Sequence, residues 1–235
     1  MTLLELIKHL RESILDDVGG TNVEWEELIE DNVSSTQLRW TNEELTRFIN
    51  EAQNRVAADI LAIKDSSTYS LTVVADTAEY ALDPTILQVK GMYSDNSGLR
   101  LTEQEYEDLE GVKSWRSKTG TPTHYMLDIE TSKVRLYPTP EVDDTIYLTV
   151  YRLPTPQFDW ELSDIQSCEI RTEYQIPMLN WAAYMAYMKD EANTFDPQRA
   201  NYFRQLYVAD FTYNSPYADV RRRRSSNRTV SYGGI

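Results

Sequence analysis

Residues 40–63 read WTNEELTRFINEAQNRVAADILAI and carry the clearest helix signal in the chain. Thr41 and Glu44 have the spacing of a capping box, and Trp40 and Leu45 have the spacing of a hydrophobic staple. Apolar residues then recur at steps of three and four, which predicts an amphipathic helix with one buried face. That face comprises Leu45, Phe48, Ile49, Ala52, Val56, Ile60 and Ile63.

After this helix the apolar period shortens to two, beginning with Tyr69, Leu71 and Val73. Alternation of this kind predicts half-buried strands. A second capping box, Thr102 with Glu105, predicts a short helix within the β region. Because most connections are too short for crossover helices, we expect a mainly antiparallel sheet. Further strands are predicted at residues 78–82, 87–93, 123–128, 133–138 and 145–152.

Helical patterns also precede and follow the β region. The N-terminal helix is predicted to end at Gly19-Gly20, followed by at most a short helix around residues 25–29. After Pro154 a long helix is predicted at residues 171–192, with Pro177 in its first turn or at a kink. The apolar stripe of that helix is Tyr174, Met178, Trp181, Met185 and Met188, with Ala182, Ala183 and Ala186 leaving room for a close neighbour.

A last helix is predicted to start at Asp196-Pro197, an N-cap followed by proline in the first helical position. The fold class is therefore α+β: a bundle of N- and C-terminal helices, an inserted mainly antiparallel β region, and an extended C-terminal arm. The expected segments are 1–65 (helical), 66–160 (β-rich), 161–213 (helical) and 214–235 (basic arm).

Charge is distributed very unevenly along this chain of 235 residues and net charge −15. Five arginines and no acidic residue follow Asp219, so residues 220–235 carry +5 and the preceding residues carry −20. An acidic body repels nucleic acid phosphates and anionic lipid. The longest apolar run, residues 181–188, is far shorter than the ~20 residues that span a bilayer, so no membrane partner is expected.

The sequence offers little that resembles a catalytic or metal site. Two histidines, His9 and His124, and one cysteine, Cys168, provide no zinc-binding spacing, and nucleotide-binding and hydrolase motifs are absent. We therefore expect no cofactor, no metal and no enzymatic activity. The acidic clusters are expected to be solvated helix faces, and the abundant tyrosines and tryptophans are expected in the core and at subunit interfaces, since no basic groove accompanies them.

The order of several motifs resembles the head-to-tail adaptor proteins of tailed bacteriophages. Residues 10–17 (LRESILDD), 40–45 (WTNEEL) and 49–53 (INEAQ) are similar to the opening of that family. The resemblance covers about residues 3–213, and the proline at 177 departs from the family pattern. The other motifs are YALDP at 80–84, GTPTHY at 120–125, LYPTP at 136–140, VYRLP at 150–154, and WAAYMAY at 181–187 with Lys189-Asp190.

This resemblance implies a structural virion protein, made in the host cytoplasm and located at the head-tail junction. It implies a ring of identical subunits, commonly twelve, with the portal above, a tail or nozzle protein below, and DNA passing through without specific binding. The helix at 171–192 is then expected to serve core and subunit contacts through Trp181, Tyr184, Met185, Tyr187 and Met188.

The C-terminal arm is expected to dock into the portal. Its 22 residues reach roughly 70 Å when extended, its guanidinium groups suit carboxylates on a partner, and its last residues suit strand addition. The docking residues are Arg221, Arg222, Arg223, Arg224, Arg228, Val230, Tyr232 and Ile235. Three alternatives remain: a solvated terminus, a DNA-binding arm, or a virion-associated peptidoglycan hydrolase that uses a carboxylate pair.

Overall fold

The computed structural model describes residues 1–17, 38–127, 130–191 and 194–211. These residues form two compact units, a helical unit (residues 1–62 and 154–211) and a sheet unit (residues 63–153). The mixture of helices and a curled sheet confirms the α+β class. The predicted helix at 25–29 and the C-terminal arm lie outside the described residues.

The N-terminal helix α1, Leu3–His9, starts at a capping box that the sequence analysis missed. The Thr2 hydroxyl accepts the Glu5 backbone N–H at 3.2 Å, and the Glu5 carboxylate accepts that of Thr2 at 2.9 Å. The helix continues as a π-helix, Leu10–Leu15, and ends where Asp16 adopts a left-handed conformation with φ 52°. The predicted end at Gly19-Gly20 is wrong, because aspartate tolerates this conformation and stops the helix earlier.

Helix α2, Asn42–Ile60, confirms the signal at residues 40–45. Thr41 and Glu44 form the capping box, and both Trp40 and Leu45 are buried. Leu61 adopts the left-handed conformation and ends the helix. Ile63, predicted as the last residue of the helical face, therefore lies in a strand instead.

The sheet unit contains ten short strands among its described residues. They are β1 Ile63–Asp65, β2 Ser70–Val73, β3 Glu79–Ala81, β4 Ile86–Ser94, β5 Arg100–Glu103, β6 Thr119–Gly120, β7 His124–Leu127, β8 Lys133–Tyr137, β9 Thr139–Pro140 and β10 Asp144–Arg152. One sheet has the order β1-β10-β4-β5-β7-β8-β3, with β2 also paired to β10, and β6 pairs with β9.

Most strand pairs are antiparallel, but β5–β7 and β6–β9 are parallel. The β5–β7 pair is parallel because residues 104–123 provide a crossover that contains helix α3, Tyr106–Glu110. The predicted capping box for α3 is wrong. Thr102 lies in β5, where its N–H donates to the Thr123 carbonyl, and Glu105 caps the helix without a side-chain bond.

One face of the large sheet covers a hydrophobic core, as alternation along its strands predicts. Leu148 and Ile146 from β10 and Met92 from β4 are at its centre, each at most 1% exposed. The remaining buried members are Leu71, Val73, Val89, Leu101, Tyr125, Val134, Leu136 and Val150.

Two long helices complete the helical unit, α4 Thr172–Tyr187 and α5 Pro197–Phe211. Helix α4 ends five residues before its predicted end, and Pro177 lies in its second turn rather than the first. The predicted cap of α5 is confirmed, since the Asp196 carboxylate accepts the backbone N–H groups of Gln198 and Arg199. None of the described helices is both long and apolar enough to span a bilayer.

Candidate assembly surfaces

The helical unit has a groove of about 430 Å³ between α2 and α4. Its apolar side chains are half-buried, except that of Met188, which is 43% exposed. Below we call it the α2–α4 groove. Its lining comprises Glu44, Arg47, Phe48, Glu51, Trp181, Tyr184, Met185, Met188 and Lys189.

At the level of the groove, α4 turns its small residues inward and leaves its larger ones half-buried or exposed. Ala182, Ala183 and Ala186 are fully buried, and α2 and α5 both pack against α4. Small side chains allow this close approach, which leaves the bulky residues at 181, 184, 185 and 188 on the groove side. Of the predicted stripe, Tyr174 and Met178 are buried, Trp181 and Met185 are half-buried, and Met188 is exposed.

Trp181 is held from several sides at the groove. The centroid of its ring is 5.0 Å from that of Tyr184 and 5.1 Å from that of Tyr207, and the Arg55 guanidinium carbon is 5.0 Å above it. The indole N–H is buried, and no acceptor for it lies among the described residues. A buried tryptophan N–H usually has a hydrogen-bond partner, so this group marks a site where an acceptor would bind favourably.

Asp59 on α2 fixes the residues behind the tryptophan. Its carboxylate accepts the Tyr207 hydroxyl at 2.9 Å and pairs with Arg55 at 3.1 Å. Burial, and then the charge of Asp59, raise the pKa of Tyr207 well above its ordinary value. Tyr207 therefore stays neutral and donates a hydrogen bond to Asp59, which holds the ring of Tyr207 in place behind Trp181.

The rim of the groove carries an ion pair between its two helical sides. Lys189 lies 2.6 Å from Glu44 and 2.9 Å from Glu191. Burial acts to raise the pKa of Glu44, but the hydrogen bonds from Lys189 and from the Thr41 backbone hold that pKa below its ordinary value. Glu44 thus caps α2 with one oxygen and binds Lys189 with the other.

A second polar cluster, fully buried, joins the π-helix to the start of α2. Arg11 pairs with Asp17 at 2.5 Å and donates to the Trp40 carbonyl at 2.7 Å and to Asn42 at 2.9 Å. Asp17 also accepts the backbone N–H of Arg39 at 2.9 Å. The two chain segments that flank residues 18–37 are therefore tied together by one carboxylate.

The remaining sequence-predicted residues lie apart from the groove. Tyr187 is buried, with its ring edge-on to Trp40 and stacked on Phe203. Burial raises the pKa of Cys168 to about 11, which keeps the thiol protonated at neutral pH. Among the described residues, no group of His, Cys, Asp and Glu side chains is arranged to hold a metal ion. The docking residues, Arg221 to Ile235, fall outside the part of the chain that the structure describes.

The groove could not be predicted from the sequence, because its two sides lie at least 130 residues apart. The one available signal was the alanine run on α4, which indicated close packing on that face. The bulky residues were expected to serve core and subunit contacts, and the structure shows which of them the alanines leave outside the core. Where packing is decided by the closest approach of helices, small residues are the better guide.

Comparison with known proteins now adds to this geometry. No curated protein shows a significant match to the chain. A family model described as SU10 adaptor protein matches residues 1–231, almost the entire sequence. The protein thus belongs to the SU10 adaptor family, a family of phage head-to-tail adaptor proteins.

Proposed function

We propose that the protein is a structural subunit of a ring that joins the portal to the tail and continues the DNA channel. The observation that carries this proposal is the family match across residues 1–231. We infer a closed ring of identical copies, twelve in number, with a tail or nozzle protein below. The subunit is made in the host cytoplasm and acts in the virion as a structural component rather than an enzyme.

The α2–α4 groove supports a contact between neighbouring copies. A cyclic ring repeats one heterologous interface, in which a groove on one copy receives a different surface of the next. Tryptophan, tyrosine and methionine are enriched in such interfaces. The groove offers all three in Trp181, Tyr184 and Met188, together with a buried indole N–H that has no acceptor among the described residues.

The basic C-terminal residues support docking into the portal. Residues 220–235 carry +5 beside a body of −20, so the arm has the charge to find carboxylates on another protein. Its extended length of roughly 70 Å is enough to reach a neighbouring protein. We propose that Arg221 to Arg224 pair with the portal and that residues 229–232 add to a strand edge there.

The acidity of the body supports a passage that does not retain DNA. Carboxylates facing the bore repel phosphates, so the genome slides past the wall. An adaptor-portal reconstruction that showed lysines and arginines lining the bore would contradict this part of the proposal.

The test is assembly of purified protein on purified portal rings of the same phage, viewed by negative-stain electron microscopy. Wild-type protein should add a ring of density beneath the portal. Deleting residues 221–235 should abolish attachment, because the arm provides the portal contact. Met188→Glu should leave single copies attached without a closed ring, because it puts a charge into the groove.

Ile176→Glu is the matched control for the groove variant. Ile176 lies on the same helix, is 39% exposed and does not line the groove. This variant should assemble like wild type. If the truncated protein still fills the portal vertex, the arm is not the docking element, and if Met188→Glu closes rings normally, the groove is not the subunit contact.

A further inference from the structure

The sheet unit has an outer face that combines exposed tyrosines with cations. The outer face is the side opposite the hydrophobic core. Strand register aligns four residues in one row across it, Ser70, Tyr147, Tyr93 and Arg100 on β2, β10, β4 and β5. Tyr93 is 45% exposed and Tyr147 is 43% exposed, so two aromatic rings stand side by side in solvent on neighbouring strands.

Arg100 is held flat against the sheet at the end of this row. Its guanidinium lies over Gly91, where an added Cβ would stand 3.2 Å from Nη2. The same Nη2 donates to the Lys90 carbonyl at 3.2 Å. A side chain at position 91 would crowd the guanidinium, so the glycine leaves room for the charge to lie beside Tyr93.

Two lysines extend the positive charge from Arg100 across the sheet. Burial lowers the pKa of Lys90, and the charges of Lys64 and Arg100 lower it further, against the opposing effect of Glu103. Lys64 on β1 is three strands from Arg100 in the sheet order, about 14 Å away across the strands. Lys64, Lys90 and Arg100 therefore form a diagonal track of charge that passes the two tyrosines.

Exposed aromatic rings beside a track of cations match the requirements for binding a single nucleic acid strand. Unpaired bases stack on aromatic faces, while lysine and arginine neutralise the phosphates. A duplex hides its base faces and would leave the tyrosines unused. We propose that the outer face binds single-stranded nucleic acid, with bases stacked on Tyr93 and Tyr147 and phosphates held by Lys64, Lys90 and Arg100.

The composition of the face favours nucleic acid over a second protein chain. Lysine is depleted in protein interfaces, whereas Lys64 pairs with Tyr151 on this face and Lys90 lies at the bulge beside Gly91. Around the tyrosines the face carries Ser70, Thr149 and Gly91 instead of large aliphatic side chains. The positive charge of Lys64 and Arg100 is also opposite to the net charge of the chain, so these residues attract phosphate.

The test is fluorescence anisotropy of a labelled dT20 oligonucleotide titrated with the full chain at several salt concentrations. Tyr93→Ala with Tyr147→Ala should weaken binding tenfold or more, since each stacked base contributes substantially. In this variant, the slope of the logarithm of the association constant against the logarithm of the salt concentration should stay unchanged. Lys64→Gln with Arg100→Gln should make the slope less steep by about 1.4, because two phosphate contacts are lost.

Matched variants separate this face from other causes. Tyr93→Phe with Tyr147→Phe retains both rings and should bind like wild type. Tyr202→Ala with Arg204→Gln changes the same residue types at exposed positions of α5 and should have no effect. A full-length variant with glutamine at positions 221–224 measures what the arm contributes.

Three results would overturn the proposal. The first is no binding of dT20 by the wild-type chain at low salt, and the second is binding that only the arm variant removes. The third is that replacing Tyr93 and Tyr147 by alanine changes the sedimentation of the protein but leaves oligonucleotide binding unchanged. The last result would make the outer face a contact between copies of the chain.

Discussion

The helical unit and the sheet unit build their surfaces in different ways. In the helical unit, residues close in sequence fix the ends of helices, as Thr41 and Glu44 do for α2. In the sheet unit, the row of Ser70, Tyr147, Tyr93 and Arg100 draws on four strands that span residues 70 to 152. Local chemistry therefore predicts where helices begin, whereas strand register decides which side chains share a face.

The two units also hold their main ion pairs differently. Arg11 and Asp17 are at most 2% exposed, whereas Arg152 and Asp65 in the sheet unit are 12% and 9% exposed. Removing one partner of a buried pair leaves an uncompensated charge, which costs more than losing a pair near the surface.

Arg11→Ala should lower the free energy of unfolding by about 3–5 kcal/mol, because Asp17 is left charged and buried. Urea denaturation followed by circular dichroism measures the effect. Arg171→Ala is the control, since its pair with Glu173 is exposed and should contribute less than about 1 kcal/mol. Equal losses in the two variants would mean that burial does not set the strength of these pairs.

Asp65→Asn should lower the free energy of unfolding by about 2 kcal/mol at neutral pH, since charge-assisted hydrogen bonds are lost. Burial acts to raise the pKa of Asp65, but bonds from Ser67, Thr68 and Arg152 hold it far below its ordinary value. Folding lowers the pKa of the Asp65 carboxyl. The resulting stabilisation is therefore fully present above the pKa that this carboxyl has in the unfolded chain. It is lost as the pH falls from that value toward the lower pKa of the folded protein.

Denaturation of wild type and Asp65→Asn at pH 7 and pH 3 checks this sign. The two proteins should differ in free energy of unfolding by roughly 1 kcal/mol less at pH 3 than at pH 7. The reason is that the Asp65 carboxylate takes up its proton at a higher pH in the unfolded chain than in the folded protein. A difference that grows on acidification would contradict the assigned hydrogen bonds.

Thr41→Ala should lower the free energy of unfolding by about 1 kcal/mol, because the cap of α2 is lost. Thr102→Ala should cost less than about 0.5 kcal/mol, although both threonines have the same capping-box spacing in the sequence. Thermal unfolding of the two variants compares them directly. A large effect at Thr102 would show that its side chain has a role in β5 beyond the hydrogen bonds of the backbone.

Much of the fold was predictable because its signals are local. The capping residues correctly predicted the starts of α2 and α5. The alternation of apolar residues correctly predicted the strands β2, β4, β7, β8 and β10. The errors occurred where tertiary pairing overrides a local pattern. Thr102 pairs with the β7 segment instead of capping a helix, and Asp16 and Leu61 end their helices in left-handed conformations that no strong sequence signal announced.

The candidate surfaces were only partly predictable. The residues Trp181, Tyr184, Met185 and Met188 were singled out, but the groove also requires Phe48 and Glu44 from a helix far away in sequence. The aromatic residues were expected to lack a basic groove, because most of them have acidic or apolar neighbours along the chain. The sheet brings Tyr147 together with Lys64, Lys90 and Arg100, since paired strands are only about 5 Å apart.

The sequence by itself determined the α+β class, the positions of the long helices and the family of the chain. Each of these depends on periodicity, capping chemistry or motif order within short stretches. Only the tertiary structure decided which face of α4 is buried, because that depends on how closely α2 and α5 approach its alanines. It also decided that tyrosines and cations share one sheet face, because register is a property of paired strands and not of any single one.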